Sequence, residues 1–394
     1  MLPPDYYDEI SQGAEAVAEE LHENIIRKII RRLIARMKRY KFFRLSQTDM
    51  WAIETLQESG YLREDIAKEI AKMTGKQART IRRAFEEAAV KNLEWDDAVY
   101  KAAGLSPDPL KRSPFLIRLL QRGYEKTNKE WFNYTRTTAD AAQRLFISEC
   151  DKAYNLVATG AESLQTAVAD AIENVSSTGV EVVYPSGHKD TIETATARAV
   201  RTGVAQACGD ITTARMDEMD WDIVLVSAHL GARVTDKEDF TNHYWWQGQF
   251  YSRSGKDPRF KPFSVCGEGN VQGILGANCR HSYSPGDGKF NPFEKFDSEE
   301  NKKRYQNEQK QRSMERAIRK SKRELIGLKE GVDATDDPEL KATLQEKFNR
   351  KARTIKNQYN RYETFSKDNG LKMQYERANI PGWTGFFIKA VSKA

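Results

Sequence analysis

The sequence predicts a mainly α protein with a small α+β core domain. Three observations carry that prediction. The first 178 residues show apolar positions at helical spacing, broken only by short glycine- and proline-bearing turns. A stretch with short β-branched runs and dense aromatics follows, over residues 179–293. The remainder, 294–394, returns to long charged helical tracts. The expected organisation is therefore a helical N-terminal arm over 1–178, a compact loop-rich core over 179–293, and a C-terminal basic helical hairpin with a tail over 294–394.

In the arm, Pro3-Pro4 precedes an acidic helix start. Residues 21–42 are the strongest amphipathic stretch. Leu21, Ile25, Ile29, Leu33 and Met37 recur at helical spacing, with Ile26, Ile30 and Ile34 beside them. Arg27, Lys28, Arg31, Arg32, Arg36, Lys38 and Arg39 fill the other side. This reads first as a core-facing helix with a solvated basic face; contact with DNA or an acidic partner is the second reading and a membrane-surface helix the third. Ser46 is an expected N-cap and Gly60 an expected helix stop. Helices are then expected at 62–73 and 76–91, the span 62–87 having the look of a helix-turn-helix, although a packed helical hairpin is the commoner use of that shape. Ser106-Pro107-Asp108-Pro109 is a clear break, and helices resume at 110–126, 138–157 and 161–174.

The composition shifts at Ser176-Ser177-Thr178-Gly179. Val180 to Tyr184 alternates and reads as a strand, Pro185-Ser186-Gly187 as a turn, residues 191–219 as a long helix carrying Arg198, Arg201 and Arg215, and Ile223 to Val226 as a second strand. From Ser227 to Gly288 the chain is loop-rich, and Trp245, Trp246, Phe250, Tyr251, Phe260, Phe263 and Tyr283 supply aromatic packing. Residues 297–330 and 338–369 read as a basic helical hairpin whose low apolar content suggests that much of it projects from the body. Lys320, Arg323, Arg350 and Lys351 are the expected nucleic-acid or partner contacts there, as Arg27, Arg31 and Arg32 are in the arm. The tail from Ile380 to Phe387 is apolar and expected to dock.

The net charge of +6 in 394 residues is mildly basic; it is compatible with nucleic acid nearby without demanding it. Met1-Leu2-Pro3-Pro4-Asp5 does not read as a signal peptide, and no run of apolar residues is long enough to span a bilayer. Four cysteines, at 150, 208, 266 and 279, do not form a secreted disulfide framework in a chain of this size, so a reducing compartment is expected.

Chemistry concentrates at Gly273 to Gly288, G-I-L-G-A-N-C-R-H-S-Y-S-P-G-D-G. Cys266, Cys279, His281 and His229, with His243 also upstream, offer the donors of a tetrahedral zinc site. The C-x12-C-x-H spacing is not a compact knuckle, and two other readings stand beside it. One is a disulfide between Cys266 and Cys279. The other treats the cysteines as small buried hydrophobes and the histidines as hydrogen-bonding loop residues. Cys279 with His281 also raises nucleophilic catalysis, but no orienting carboxylate or oxyanion loop is evident. Asp236, Glu238 and Asp239 look like a polar loop. There is no Walker loop, and Gly267-Glu268-Gly269-Asn270 is not a dinucleotide fingerprint.

An ordered set of motifs carries a family resemblance. Ser227-Ala228-His229-Leu230-Gly231-Ala232-Arg233, then Trp246-Gln247-Gly248, then Cys266-Gly267, then Gly273-Ile274-Leu275-Gly276-Ala277-Asn278-Cys279-Arg280-His281 with Pro285, preceded by Arg201-Thr202, resembles the phage minor capsid protein 2 family, one of the Mu protein F-like head-morphogenesis groups of tailed phages. The resemblance implies a minor virion component; neither it nor the residues establish catalysis, and no cofactor besides the zinc considered above is expected. It would be made in the host cytoplasm and carried inside the head near the portal. Portal protein and major capsid or scaffold proteins would be its partners, with packaged DNA a further contact, and it would assist head assembly, DNA packaging or ejection. Two other classes remain beside this one: a virion-borne enzyme, metal-dependent or ADP-ribosyltransferase-like, and a DNA-binding module.

Overall fold

The computed structural model describes residues 1–40, 48–184 and 186–394. It is mainly helical with two small sheets, as expected. Its compact units do not follow the three consecutive segments expected from composition. One unit is assembled from Met1–Glu15, Gln77–Phe132 and Thr196–Gln309, the other from Ala16–Lys76, Asn133–Ala195 and Lys310–Ala394. The reason is helix length: α1 (Tyr6–Tyr40), α2 (Thr48–Ala102), α3 (Pro114–Ala158), α5 (Ile192–Glu218) and α7 (Ser298–Ala334) each contribute residues to both units.

The long helices correct the sequence reading in several places. Helix α2 runs 55 residues through both Gly60 and Gly75, so there is neither a stop at Gly60 nor a helix-turn-helix over 62–87. A glycine inside a helix costs about 1 kcal/mol relative to alanine. Buried Thr55 and Ser59 before Gly60, and Leu62, Ile66, Met73, Ile81, Phe85 and Ala88 after it, hold one helical phase across both glycines and outweigh that cost. The expected helices at 110–126 and 138–157 are likewise the single helix α3. Gly123, inside it, marks a close approach: a Cβ there would lie 2.8 Å from that of Ala207. The break at 106–109 is present, and Ser163 caps α4 (Leu164–Thr178) by accepting from the Thr166 amide. Ser46 and Pro185 lie outside the described residues.

The first unit holds the sheet that positions the candidate site. Strands β3 (Ile223–Val226), β4 (Phe250–Ser252), β5 (Lys261–Pro262) and β6 (Tyr283–Pro285) lie in the order β5-β4-β3-β6. Strand β3 is antiparallel to β4 and β6, with Val224 opposite both Tyr251 and Pro285, and β4 is parallel to β5. Its core joins Val224, Val226, Tyr251, Phe263, Ile274 and Tyr283 to Val200, Val204 and Met216 of α5 and to Tyr7 and Phe85. The fully buried Arg215 closes the break after α2, its Nη2 donating to the Asp108 carbonyl at 2.5 Å and its Nη1 to Glu218 at 3.1 Å.

The second unit contains the basic stretch of α1. Leu21, Ile25, Ile26, Ile29, Ile30, Leu33, Ile34 and Met37 are all buried, which matches the core-facing reading. The hairpin β1 (Glu181–Val183) and β2 (Lys189–Thr191) pairs antiparallel. Helix α8 (Pro338–Asp368) starts from Asp337, whose carboxylate accepts from the Glu339 and Leu340 amides. The expectation that the C-terminal hairpin projects is corrected. Residues 321–328 of α7 are buried without interruption, as are Leu340, Leu344, Phe348, Ala352, Ile355 and Tyr362 of α8. Gly327 explains how α7 comes so near: a Cβ there would sit 1.9 Å from the Ser176 hydroxyl on α4. The apolar tail forms α9 (Gly385–Lys393) and docks, with the Phe387 ring 6.4 Å from that of Phe348.

A buried ion cluster ties this unit together. His22 Nδ1 lies 2.9 Å from Glu193, whose other oxygen accepts from Arg323 at 3.0 Å; Glu19 is 3.6 Å from the same guanidinium. Burial alone would raise the Glu193 carboxyl, but His22 and Arg323 outweigh it and hold it well below the ordinary carboxylate range. The imidazole's other nitrogen accepts from the Val180 amide at 2.8 Å, against Gly179 at φ 64°.

Candidate functional site

The glycine loop in the first unit is built by close backbone approach. A Cβ at Gly273 would fall 2.1 Å from the Gly267 carbonyl oxygen, and one at Gly276 would fall 2.4 Å from that of Val271. Glycine is thus the only residue that fits either position. Leu275 and Asn278, both non-glycine, sit in the left-handed region at φ 58° and 59°, where asparagine is tolerated and leucine is strained. The coil closes through Ile274 N–H to Cys266 O at 2.9 Å and Ala277 N–H to Val271 O at 2.8 Å. Arg233 clamps it from outside, donating to the Gln272 and Ala277 carbonyls at 3.2 Å each.

Inside this frame the structure brings together His243, Cys279 and His281. One nitrogen or sulfur donor from each lies within 4.8 Å of the others, and all three residues are buried. His243 opens the short helix α6 (His243–Trp246), which Asn242 caps. Its Nε2 donates to the Gln272 carbonyl at 2.8 Å. Cys279 Sγ lies 3.7 Å from His281 Nδ1 and accepts from the His281 amide at 3.4 Å. His281 Nε2 meets Gln247 Oε1 at 3.0 Å, and the same oxygen accepts the His229 amide at 3.0 Å. Trp246 caps the group, 4.6 Å from the His243 ring and 4.8 Å from the His281 ring, its indole N–H donating to the Phe240 carbonyl.

Burial sets the protonation of these groups. It pushes the Cys279 thiol up to about 11 and pulls His243 down to about 4 and His281 well below the ordinary imidazole value. A shielded protonated thiol is the opposite of an activated nucleophile, which needs a thiolate and access.

Of the four donors first expected for zinc, Cys279 and His281 converge. His229 does not join the donor cluster; its ring stacks on that of His281 at 4.5 Å. Cys266 also stands apart, buried in the single-turn helix Phe263–Cys266. Both cysteines are free thiols, so they are not joined in a disulfide. His243 takes the remaining place, and its position beside Trp245-Trp246-Gln247 was the available signal. Asp239 accepts from the Thr241 amide and hydroxyl, so the 235–239 stretch is the polar loop it resembled.

The other motif residues brace this domain. Gly248 sits at φ 64°, where a Cβ would come 3.1 Å from that of Ala228. Arg280 pairs with Glu308 at 2.8 Å, and Arg304 with the same carboxylate at 2.9 Å. Arg201 pairs with Asp8 at 3.1 Å, and Thr202 is half-buried beside it with no role that the structure explains. Sequence reasoning missed Asn301. Fully buried at the start of α7, it accepts from the Gly231 and Ala232 amides at 2.8 and 2.9 Å and donates to the Ala232 carbonyl at 3.0 Å. A single asparagine in a charged run carries no pattern that marks it.

The residues expected to contact nucleic acid are mostly engaged inside the second unit. Arg27 and Arg31 pair with Glu330, and Arg32 with Glu58 and Asp65. Lys351 pairs with Glu173 and Glu324, and Arg323 is buried between Glu19 and Glu193. Arg323 is therefore a structural ion-pair residue rather than a surface contact. Lys320 and Arg350 are exposed.

The sequence profile of a family described as phage minor capsid protein 2 matches residues 2–365. A structural protein of Lactococcus phage LL-H is 24% identical over 289 residues, covering 69% of this chain and 76% of that protein. No solved structure matches the chain significantly.

Proposed function

Because the chain belongs to the phage minor capsid protein 2 family, a structural component of phage heads, we propose that it sits inside the head at the portal vertex. There it would contact portal, major capsid or scaffold protein while the head is built and DNA is packaged or released. The observation that carries this reading is an apolar stripe left open at the start of α2. Met50, Ile53, Leu56 and Tyr61 are 44%, 53%, 61% and 59% exposed, and their spacing puts them on one helical face. Large apolar groups grouped on one face are a surface that an assembly buries. Ion-paired arginines and a shielded thiol fit a scaffold better than a DNA clamp or a catalyst. No helix among the described residues is long and apolar enough to cross a membrane.

Mass spectrometry and cryo-electron microscopy of purified heads test this. The protein is expected in heads, with density at the portal vertex. Absence from heads would overturn the proposal; density spread over the shell would overturn the portal position alone. Leu56→Asp is expected to reduce incorporation into heads while leaving the far-ultraviolet circular dichroism unchanged. Normal incorporation of that variant would rule out the stripe as the contact.

A further inference from the structure

We propose that His243, Cys279 and His281 form a transition-metal site whose occupant is zinc. The donor set is two imidazoles and one thiol, the borderline-soft combination that zinc takes. Cys279 and His281 are two residues apart at the end of the glycine loop, and the fold brings His243 to them from α6. All are nearly or fully buried, at 2%, 7% and 1% exposure. Their donor atoms lie within 4.8 Å of one another in this dry place.

Two further observations point to an ion. The first is spacing. A tetrahedral zinc with ordinary Zn–N and Zn–S bonds holds its nitrogen and sulfur donors about 3.6 Å apart, and Cys279 Sγ stands 3.7 Å from His281 Nδ1. The second is the surrounding shell. Histidines that bind metals usually give their other N–H to a carbonyl or carboxylate, which fixes the tautomer. His281 gives Nε2–H to Gln247 Oε1, and the His229 amide donating to that same oxygen keeps the amide oxygen, not its nitrogen, facing the ring. The lone pair of His281 is thereby left on Nδ1, toward Cys279. His243 gives its Nε2–H to the Gln272 carbonyl. Gln272 is itself held by Arg233, so the glycine loop orients both the ligand and its support.

Binding is a simple exchange. Zinc(II) forms bonds to the Cys279 sulfur and to one nitrogen of each histidine. The thiol S–H breaks, and its proton leaves to solvent. No oxidation state changes, and one tetrahedral position is left for water. The ligand set differs from the one that sequence spacing suggested, with His243 in place of Cys266 and His229.

The test uses the full chain without a histidine tag, stripped with a chelator and refilled with equimolar zinc or cobalt(II). One zinc per chain by mass spectrometry is expected, together with a thiolate-to-cobalt charge-transfer band. Cys279→Ser and His243→Asn are expected to lose stoichiometric metal, whereas Cys266→Ser keeps it. Circular dichroism establishes that each variant is folded. Failure of the wild-type chain to retain zinc would overturn the proposal, as would a cobalt spectrum without the thiolate band. Undiminished binding by folded Cys279→Ser would do the same, as would loss of binding by folded Cys266→Ser. The wild-type spectrum decides even if the Cys279 variant fails to fold.

Discussion

The α-carbon of Gly273 is packed so tightly against Gly267 that a methyl group on it would lie 2.1 Å from the Gly267 carbonyl oxygen. The obstacle is backbone, which cannot swing aside as a flexible side chain would. Gly273→Ala is therefore expected to cost on the order of 3 kcal/mol or more, read as a fall in the urea midpoint of unfolding. An unchanged midpoint would mean that the coil closes differently.

Gly60 predicts the opposite sign. It lies within α2, and a Cβ there meets nothing within 4 Å. Gly60→Ala is expected to stabilise the protein by about 0.5–1 kcal/mol. Thermal denaturation would show a raised midpoint; a lowered one would indicate that the helix is interrupted at that point.

Asn301 holds the 231–232 backbone through three hydrogen bonds from a fully buried side chain. Asn301→Ala leaves two amides and a carbonyl without those partners, each orphan costing about 1 kcal/mol or more. A loss of roughly 2–4 kcal/mol follows from the same accounting. Asn301→Asp keeps the acceptor but buries a carboxylate and turns one oxygen toward the Ala232 carbonyl, so it is expected to destabilise as well in a chemical-denaturation series.

Glu193 makes stability depend on pH. Its folded carboxyl is held below the ordinary value of 4.5. The stabilisation from this group is therefore fully present above that value and is lost as pH falls through it toward the folded one. Glu23 works in the other direction. Burial, opposed by Arg27 and Arg323, raises its carboxyl to about 7, so its contribution is full below 4.5 and is lost as pH rises through 7. Glu193→Gln leaves Arg323 and His22 without their shared carboxylate and is expected to cost about 3–5 kcal/mol at pH 7. The gap between wild type and variant should shrink as pH is lowered from 5.5 to 3 in denaturation curves. A constant gap would show that the carboxyl is not depressed.

What the sequence disclosed was what is local. The strands at Glu181–Val183 and Ile223–Val226 and the helical pair over 298–334 and 338–368 announce themselves by their own periodicity. Gly60 misleads because glycine weakens a helix locally, while the burial that overrides it comes from residues far along the chain. Arg323 misleads for the same reason: its partners Glu19 and Glu193 are over a hundred residues away, and a charge run looks solvated until they are in place. In the candidate site, the residue types and the glycine motif were legible. Which of the five cysteine and histidine candidates converge was not, because spacing along a loop does not determine direction. His243 enters and Cys266 leaves through the folding of α6 and the coil, not through any change in spacing.

The division of each unit among three separated stretches has a consequence for how the protein is made. When a ribosome has released residues 1–195, neither unit is complete: the first still lacks Thr196–Gln309 and the second Lys310–Ala394. Helices can form early, yet their apolar faces wait for partners made much later, and such non-local topology slows folding and leaves nascent chains open to aggregation. The isoleucine-rich face of α1 is synthesised well before α7, which supplies Arg323 to the cluster beside it. Chaperone protection of the nascent chain, or expression slow enough to let the late helices arrive, should therefore govern its soluble yield more strongly than the stability of the finished fold.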